Sequence, residues 1–409
     1  MRTVSDRVVI IGGGLAGAKT AERLRKRGYP GAITLVSAES QLPYERPPLS
    51  KGYLAGREDF DKAIVHPEAW YREHDIDLRC GVRASAINPD AHMVRLVDGT
   101  DVPYGNLVLA TGSTPRQFPS GASAANIHTL RNKEDADAIR SAMRDGKRLV
   151  IIGGGWIGLE VAAAASDAGA LVTVLERSGL PLQSVLGPEI ARVFVDLHRS
   201  HGVTIRTGTL VDEIVLADGV ATGIRLEGGE LLDADAIIVG IGATPNIELA
   251  ADAGLAVENG ILVDKVLRTS DPDIYAVGDI ANHDHPVLGR RLRVEHWAAA
   301  RTQPKTVAAS IMGDDDAAYT ALPYFYTDQY DLGMEYSGYA PEGTYDQVII
   351  RGDLVGREFI AFWLKDQRVI AGMNVNIWDV NEAVQDLIHR GNAVDPVRLA
   401  DPDVPLEGL

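Results

Sequence analysis

Cysteine is almost absent: Cys80 is the only one in 409 residues. One thiol can close no disulfide within the chain, complete no cysteine-rich metal site and form no redox-active dithiol. Cys80 sits in the strand-like Asp77-Leu-Arg-Cys-Gly81 with no activating base beside it, so it reads as a small apolar filler. Cys/His metal spacing is also missing, and no metal is expected. His283 and His285 flank Asp284 in Asn282-His-Asp-His-Pro286, which reads as a surface loop. Basic charge is scarce: 40 Lys and Arg face 57 Asp and Glu, and the formal net charge of −17 argues against nucleic acid and anionic membranes as partners. No apolar run approaches the length of a membrane span, and the chain enters a strand almost at once. No signal peptide or anchor is expected, and the expected location is the cytoplasm.

Glycine, by contrast, is placed with purpose. A dinucleotide fingerprint is written twice, at Gly12, Gly14 and Gly17 and again at Gly153, Gly155 and Gly158. Each copy follows a short apolar run, Arg7-Val-Val-Ile-Ile11 or Arg148-Leu-Val-Ile-Ile152, and opens a small-residue helical stretch. That is the strand-turn-helix context in which glycines allow a tight turn, close approach to a pyrophosphate and close helix packing. The helix N-terminus adds N–H groups for phosphate. Two copies imply two nucleotides.

Each fingerprint is followed by a second apolar run and an acid, Ala32-Ile-Thr-Leu-Val36 before Glu39 and Leu171-Val-Thr-Val-Leu175 before Glu176. A carboxylate there accepts hydrogen bonds from ribose hydroxyls and repels a 2′-phosphate, which favours NAD over NADP at the second site; Arg177 is a mild counter-signal.

The two modules also end alike. Leu107-Val-Leu-Ala-Thr-Gly-Ser-Thr-Pro115 and Ala236-Ile-Ile-Val-Gly-Ile-Gly-Ala-Thr-Pro245 are both an apolar strand, a turn and Thr-Pro, so one architectural module is used twice. The chain then returns to the first module through Tyr275-Ala-Val-Gly-Asp279, which presents Asp279 at a strand's C-terminal end. From about Ala318 the texture becomes aromatic and β-rich, as in Tyr324-Phe-Tyr-Thr-Asp-Gln-Tyr330 and Glu358-Phe-Ile-Ala-Phe-Trp-Leu364. The expected fold class is α/β: two Rossmann-like dinucleotide-binding domains, residues 1–115 with 243–317 and residues 116–242, plus a C-terminal α+β domain over residues 318–409.

Gly12-Gly-Gly-Leu-Ala-Gly17, Tyr44-Glu-Arg-Pro-Pro-Leu-Ser-Lys51, Ala110-Thr-Gly112, Gly153-Gly-Gly-Trp-Ile-Gly-Leu-Glu160, Tyr275-Ala-Val-Gly-Asp279, Glu295-His-Trp297 and Thr327-Asp-Gln-Tyr330 carry a family resemblance. Over nearly its whole length the chain resembles the flavin-dependent ferredoxin reductases, whose architecture is glutathione-reductase-like. The resemblance implies FAD in the first module, NADH in the second and a two-iron two-sulfur ferredoxin as the transient acceptor; the expected state is a monomer or weak dimer, which the sequence itself does not fix.

It also implies site residues. Gly12, Gly14, Leu15 and Ala16 would meet the FAD pyrophosphate and Glu39 the adenosine ribose, with Arg46, Lys51, Val82, Ala110, Thr111, Gly112, Arg131, Gly278 and Asp279 as further FAD contacts. Glu295, His296 and Trp297 open a helix-like stretch that would reach the flavin's pyrimidine edge. Gly153, Gly155, Ile157, Gly158, Glu176 and Gly242 would hold NADH.

NADH gives two electrons as hydride whereas a ferredoxin accepts one, so the chemistry needs a cofactor stable at three oxidation levels, which a flavin provides. The protein's tasks are alignment and control of charge. Lys51 and Glu160 are expected to form a paired charge at the flavin, because either alone would be costly to bury; with Trp297 they are the catalytic candidates. Arg290, Arg291 and Arg293 form a basic run that could steer an acidic ferredoxin despite overall repulsion. A rubredoxin reductase, an NADH oxidase and a redox-controlled binding flavoprotein remain alternative readings.

Overall fold

Runs of β-branched residues form the centres of two parallel sheets. Arg7–Ile11 and Arg148–Ile152 are each buried from the second residue onward, as strands covered on both faces must be. The computed structural model describes residues 5–120 and 124–409. The chain divides into two compact units, Met1–Arg46 with Phe60–Thr114 and Thr244–Pro323, and Pro47–Asp59 with Pro115–Ala243 and Tyr324–Leu409.

In the first unit the parallel sheet runs, in spatial order, Ile274–Ala276, Asn106–Leu109, Arg7–Ile11, Ala32–Val36 and Ile76–Arg79. Leu15–Lys26 follows the first glycine turn as a helix that ends on Arg23, Arg25 and Lys26, cations placed well for the negative end of its dipole. Trp297–Ile311 is a second long helix packed against it. Glu22 is only 3 % exposed yet charged: Lys19 (2.7 Å), Lys26 (2.6 Å) and His66 (2.9 Å) surround it. Burial pushes its pKa up, but these three partners outweigh burial and hold it at about 2.

The loop expected around His283 and His285 is instead the strand Ala281–His285, paired with Gly260–Val263 and Arg290–Arg293. Strand alternation turns both histidines inward, each 1 % exposed, and leaves Asp284 outside. The polar letters and Pro286 hide this period in the sequence. Burial holds His283 near a pKa of about 4, so the ring stays neutral in the core.

The second unit holds a parallel sheet in the order Thr204–Arg206, Leu171–Leu175, Arg148–Ile152, Ala236–Val239 and Ile127–His128. It also holds an antiparallel five-stranded sheet, Tyr324–Gln329, Leu332–Gly338, Arg368–Val375, Glu358–Lys365 and Gln347–Asp353. Phe359, Phe362 and Trp363 are fully buried there, so these aromatics are core. Asn381–Arg390 closes over this sheet as an amphipathic helix ended by Gly391 in the left-handed region.

Candidate functional site

The three glycines of the first fingerprint do three different jobs. Gly12 has φ +120°, and a Cβ there would lie 2.1 Å from the Ala110 carbonyl oxygen. At Gly17 a Cβ would lie 2.0 Å from the Gly12 carbonyl oxygen, so this glycine lets the helix press on the turn. At Gly14, the N-cap, an added Cβ would meet no protein atom within 4 Å. Of these three, Gly14 is the one where the protein leaves room beside the helix N-terminus, as a pyrophosphate requires. The second fingerprint repeats the pattern: Gly153 (φ +105°) against the Gly240 carbonyl at 2.3 Å, Gly158 against the Gly153 carbonyl at 2.1 Å, and Gly155 open. Both cradles therefore fit a dinucleotide.

Around the first cradle, Leu15 and Ala16 are buried in the helix's first turn. Glu39 is 2.6 Å from Arg46 and accepts the Tyr44 hydroxyl proton, so the expected ribose acceptor is already oriented by a cation. Gly81 and Val82 donate their N–H groups to the Glu39 and Ser37 carbonyls, which backs this loop. Ala110 donates to Ile11, and Asn246 clamps the turn beyond it by binding Thr111 through backbone and side chain and Gly112 through its own N–H. Asp279 accepts from Ser113 at 2.8 Å, its carbonyl accepts from Arg293 at 2.9 Å, and the Gly278 N–H donates to Gln303 Oε1 at 2.6 Å. Ser113, Asn246 and Gln303 were not identifiable from sequence, because each acts through a partner far along the chain.

Glu295 pairs with Arg293, and the helix begins at Trp297, two residues later than the sequence suggests. Trp297 Nε1 donates to Glu45 at 2.8 Å, and the Arg301 guanidinium lies 4.8 Å from its ring centroid. Two contacts thus fix the indole. Burial lowers the His296 pKa to about 4, against the pull of Asp279, so this ring is neutral.

In the second unit, Glu176 accepts from the Gly154 N–H (2.9 Å) and the Ser178 N–H (2.7 Å), which sets the carboxylate at the mouth of the glycine turn. Ile157 is 44 % exposed, an apolar side chain left open at the start of the cradle helix. Gly242 has φ +100° and accepts from the Arg116 N–H. Arg131 belongs to this unit, and its backbone N–H donates to Asp135, the residue that closes the cap of the helix Lys133–Ala142.

Lys51 and Glu160 form an ion pair at 2.7 Å, with side chains 16 % and 4 % exposed. The Pro47–Ser50 turn brings Lys51, and the cradle helix Trp156–Asp167 brings Glu160. Ser50 and Thr327 also donate to the carboxylate, and the ammonium lies 5.2 Å from the Tyr326 ring centroid. The pair opens on a cleft of about 330 Å³ whose lining includes Pro47, Arg57, Tyr326 and Asp328. Burial raises the Asp328 pKa; Lys51 opposes this and Glu160 reinforces it.

The basic run is less available than its sequence suggests. Arg291 is spent on the Val263 and Asn282 carbonyls (2.9 and 2.6 Å) and Arg293 on Asp279 and Glu295.

Comparison with known proteins agrees with this geometry. A family model for pyridine nucleotide-disulphide oxidoreductases matches residues 6–304, and a reductase C-terminal model matches residues 324–409. The chain is 42 % identical to the anthranilate 1,2-dioxygenase system ferredoxin–NAD(+) reductase component of Burkholderia cepacia, covering 98 % of this chain and 99 % of that one. It is 41 % identical to putidaredoxin reductase of Pseudomonas putida, covering 99 % and 97 %. The crystal structure of a covalent putidaredoxin reductase–putidaredoxin complex superimposes with a TM-score of 0.94 at 40 % identity, covering 99 % and 98 %. The chain belongs to the FAD-dependent ferredoxin reductases of the pyridine nucleotide-disulphide oxidoreductase family.

Proposed function

We propose that this chain takes electrons from NADH and delivers them one at a time to a small two-iron two-sulfur ferredoxin that serves an oxygenase. The observation that carries the reading is the doubled cradle, at Gly14 in one unit and Gly155 in the other. A lone cysteine leaves no dithiol to take the electrons instead. Bound FAD supplies the conversion of a hydride into single electrons.

The residues assigned to FAD are those of the first cradle: the amides after Gly14 for pyrophosphate, Glu39 with Arg46 for the ribose, and Asp279 at the strand end. NADH is assigned to Gly155, Ile157 and Glu176, the carboxylate favouring an unphosphorylated ribose. Lys51 and Glu160 are assigned to steadying charge as the flavin is reduced: together they are neutral, and each makes burial of the other tolerable. Trp297, tied to Glu45, is assigned to shielding the flavin from water. A two-iron ferredoxin partner is supported by the relatives, one of which is seen joined to putidaredoxin.

The test is steady-state NADH oxidation with two-iron ferredoxins and rubredoxins from the same organism offered one at a time. Saturable turnover with a ferredoxin at low micromolar concentration supports the reading. Turnover with rubredoxin alone, or none with any carrier, would overturn it.

A further inference from the structure

Behind the Lys51–Glu160 pair lies a row of buried polar groups that the reaction does not itself require. Thr327 Oγ1 is 2.6 Å from Glu160 Oε1, Gln329 Nε2 is 3.1 Å from Thr327 Oγ1, and His198 Nε2 is 2.8 Å from Gln329 Oε1. Glu160 is 4 % exposed, Thr327 and Gln329 are 1 % exposed, and His198 is fully buried. Three elements of the second unit meet here: the cradle helix carries Glu160, alternate positions of the strand Tyr324–Gln329 carry Thr327 and Gln329, and the last turn of the helix Gln183–Ser200 carries His198.

The order of donors follows from chemistry. An ionised Glu160 only accepts, so Thr327 spends its single hydroxyl proton on Oε1. Its oxygen then accepts from the Gln329 amide. The Gln329 carbonyl is left to accept, which requires His198 to carry its proton on Nε2. Every bond points toward the carboxylate, and such chains polarise and strengthen along their length.

His198 Nδ1 is buried without a hydrogen-bond partner. An apolar side chain would fill this position without that cost, so the Nε2–H bond to Gln329 is what the histidine contributes. Burial keeps the ring neutral, with a pKa near 4.

We infer that Thr327, Gln329 and His198 are positioning residues that hold the Glu160 carboxylate in the orientation that pairs with Lys51, and through it set how readily the flavin is reduced. The inference rests on the assignment of that pair to the flavin. Losing the Thr327 hydroxyl removes one of the three side-chain donors that fix Glu160 and lets the carboxylate rotate away from the ammonium; losing Gln329 or His198 leaves that donor in place but frees it to turn.

The holoenzyme tests this in two measurements: the flavin midpoint potential by spectroelectrochemistry, and the rate constant for flavin reduction by NADH under anaerobic stopped flow. Thr327→Val, which keeps shape and loses the hydroxyl, should lower the rate constant about tenfold and shift the potential while leaving NADH affinity unchanged. Thr327→Ser should restore both. In a Glu160→Gln background, Thr327→Val should add nothing further. Gln329→Met interrupts the chain one step back, releases the Thr327 hydroxyl oxygen and should move rate and potential the same way by a smaller factor, which covers the case in which Thr327→Val does not fold. If Glu160→Gln alters rate and potential while Thr327→Val and Gln329→Met match the wild type, the positioning role is wrong and the pair's assignment stands. If Glu160→Gln itself changes neither, the assignment fails and the inference falls with it.

Discussion

A methyl group added at Gly14 and one added at Gly17 should have opposite consequences. At Gly17 the Cβ would sit 2.0 Å from a backbone carbonyl, so Gly17→Ala must displace the helix and should lower stability by about 1–3 kcal/mol. At Gly14 it meets nothing of the protein, so Gly14→Ala should melt within about 1 kcal/mol of the wild type yet lose FAD far more readily on dilution. Thermal melting of the apoprotein and flavin retention on a desalting column separate the two. By the same geometry Gly155→Ala should raise the KM for NADH about tenfold or more without loosening bound FAD. Equal effects of all three substitutions on melting would contradict the division of labour among the glycines. These positions were legible in the sequence because a fingerprint glycine answers a local backbone demand. The roles of Thr327 and Gln329, which lie in a quoted motif, and of His198 were not, since the bonds that define them bridge 131 to 167 positions to His198 and Glu160.

The helix Leu15–Lys26 is where one element's stability becomes a function of pH. Glu22 is held at about 2 against an ordinary 4.5, and a depressed carboxylate contributes stability that is full above its unfolded pKa and lost as pH falls through the folded one. Wild type should therefore lose roughly 3 kcal/mol between pH 4.5 and pH 2 that Glu22→Gln does not lose over the same window. Urea denaturation of both proteins across that range measures it; parallel curves would show that the Lys19, Lys26 and His66 contacts do not hold the charge. At the edge strand Arg290–Arg293, Arg291→Glu should cost stability, because it removes two bonds to backbone carbonyls. A variant that melts like wild type and only weakens ferredoxin binding would return Arg291 to the docking surface. Elements were legible where apolar letters carried the period, as in both parallel-sheet centres. Ala281–His285 was missed because its inward positions are histidines, and the helix at Trp297 was started two residues early because nothing in the letters Glu295-His296 shows that His296 caps the helix with an extended backbone.

For the whole molecule, the chain puts one nucleotide cradle in each compact unit and adds an antiparallel sheet whose first strand supplies a donor to Glu160. The doubled module was legible because both copies end in the same strand-turn-Thr-Pro sequence. The membership of Pro47–Asp59 in the second unit was not, because that segment is tied to it by side chains whose partners lie far along the chain, among them Ser50 and Lys51 to Glu160 and Tyr53 to Asp137. Among the described residues no helix is long and apolar enough to cross a membrane. The most direct test of the account is double-mixing stopped flow: NADH is mixed with holoenzyme under nitrogen, then with a two-iron ferredoxin, oxygen or peroxide in the second shot. The account predicts that NADH bleaches the flavin and that ferredoxin alone restores its colour rapidly. Recolouring by oxygen or peroxide as fast as by ferredoxin would contradict it.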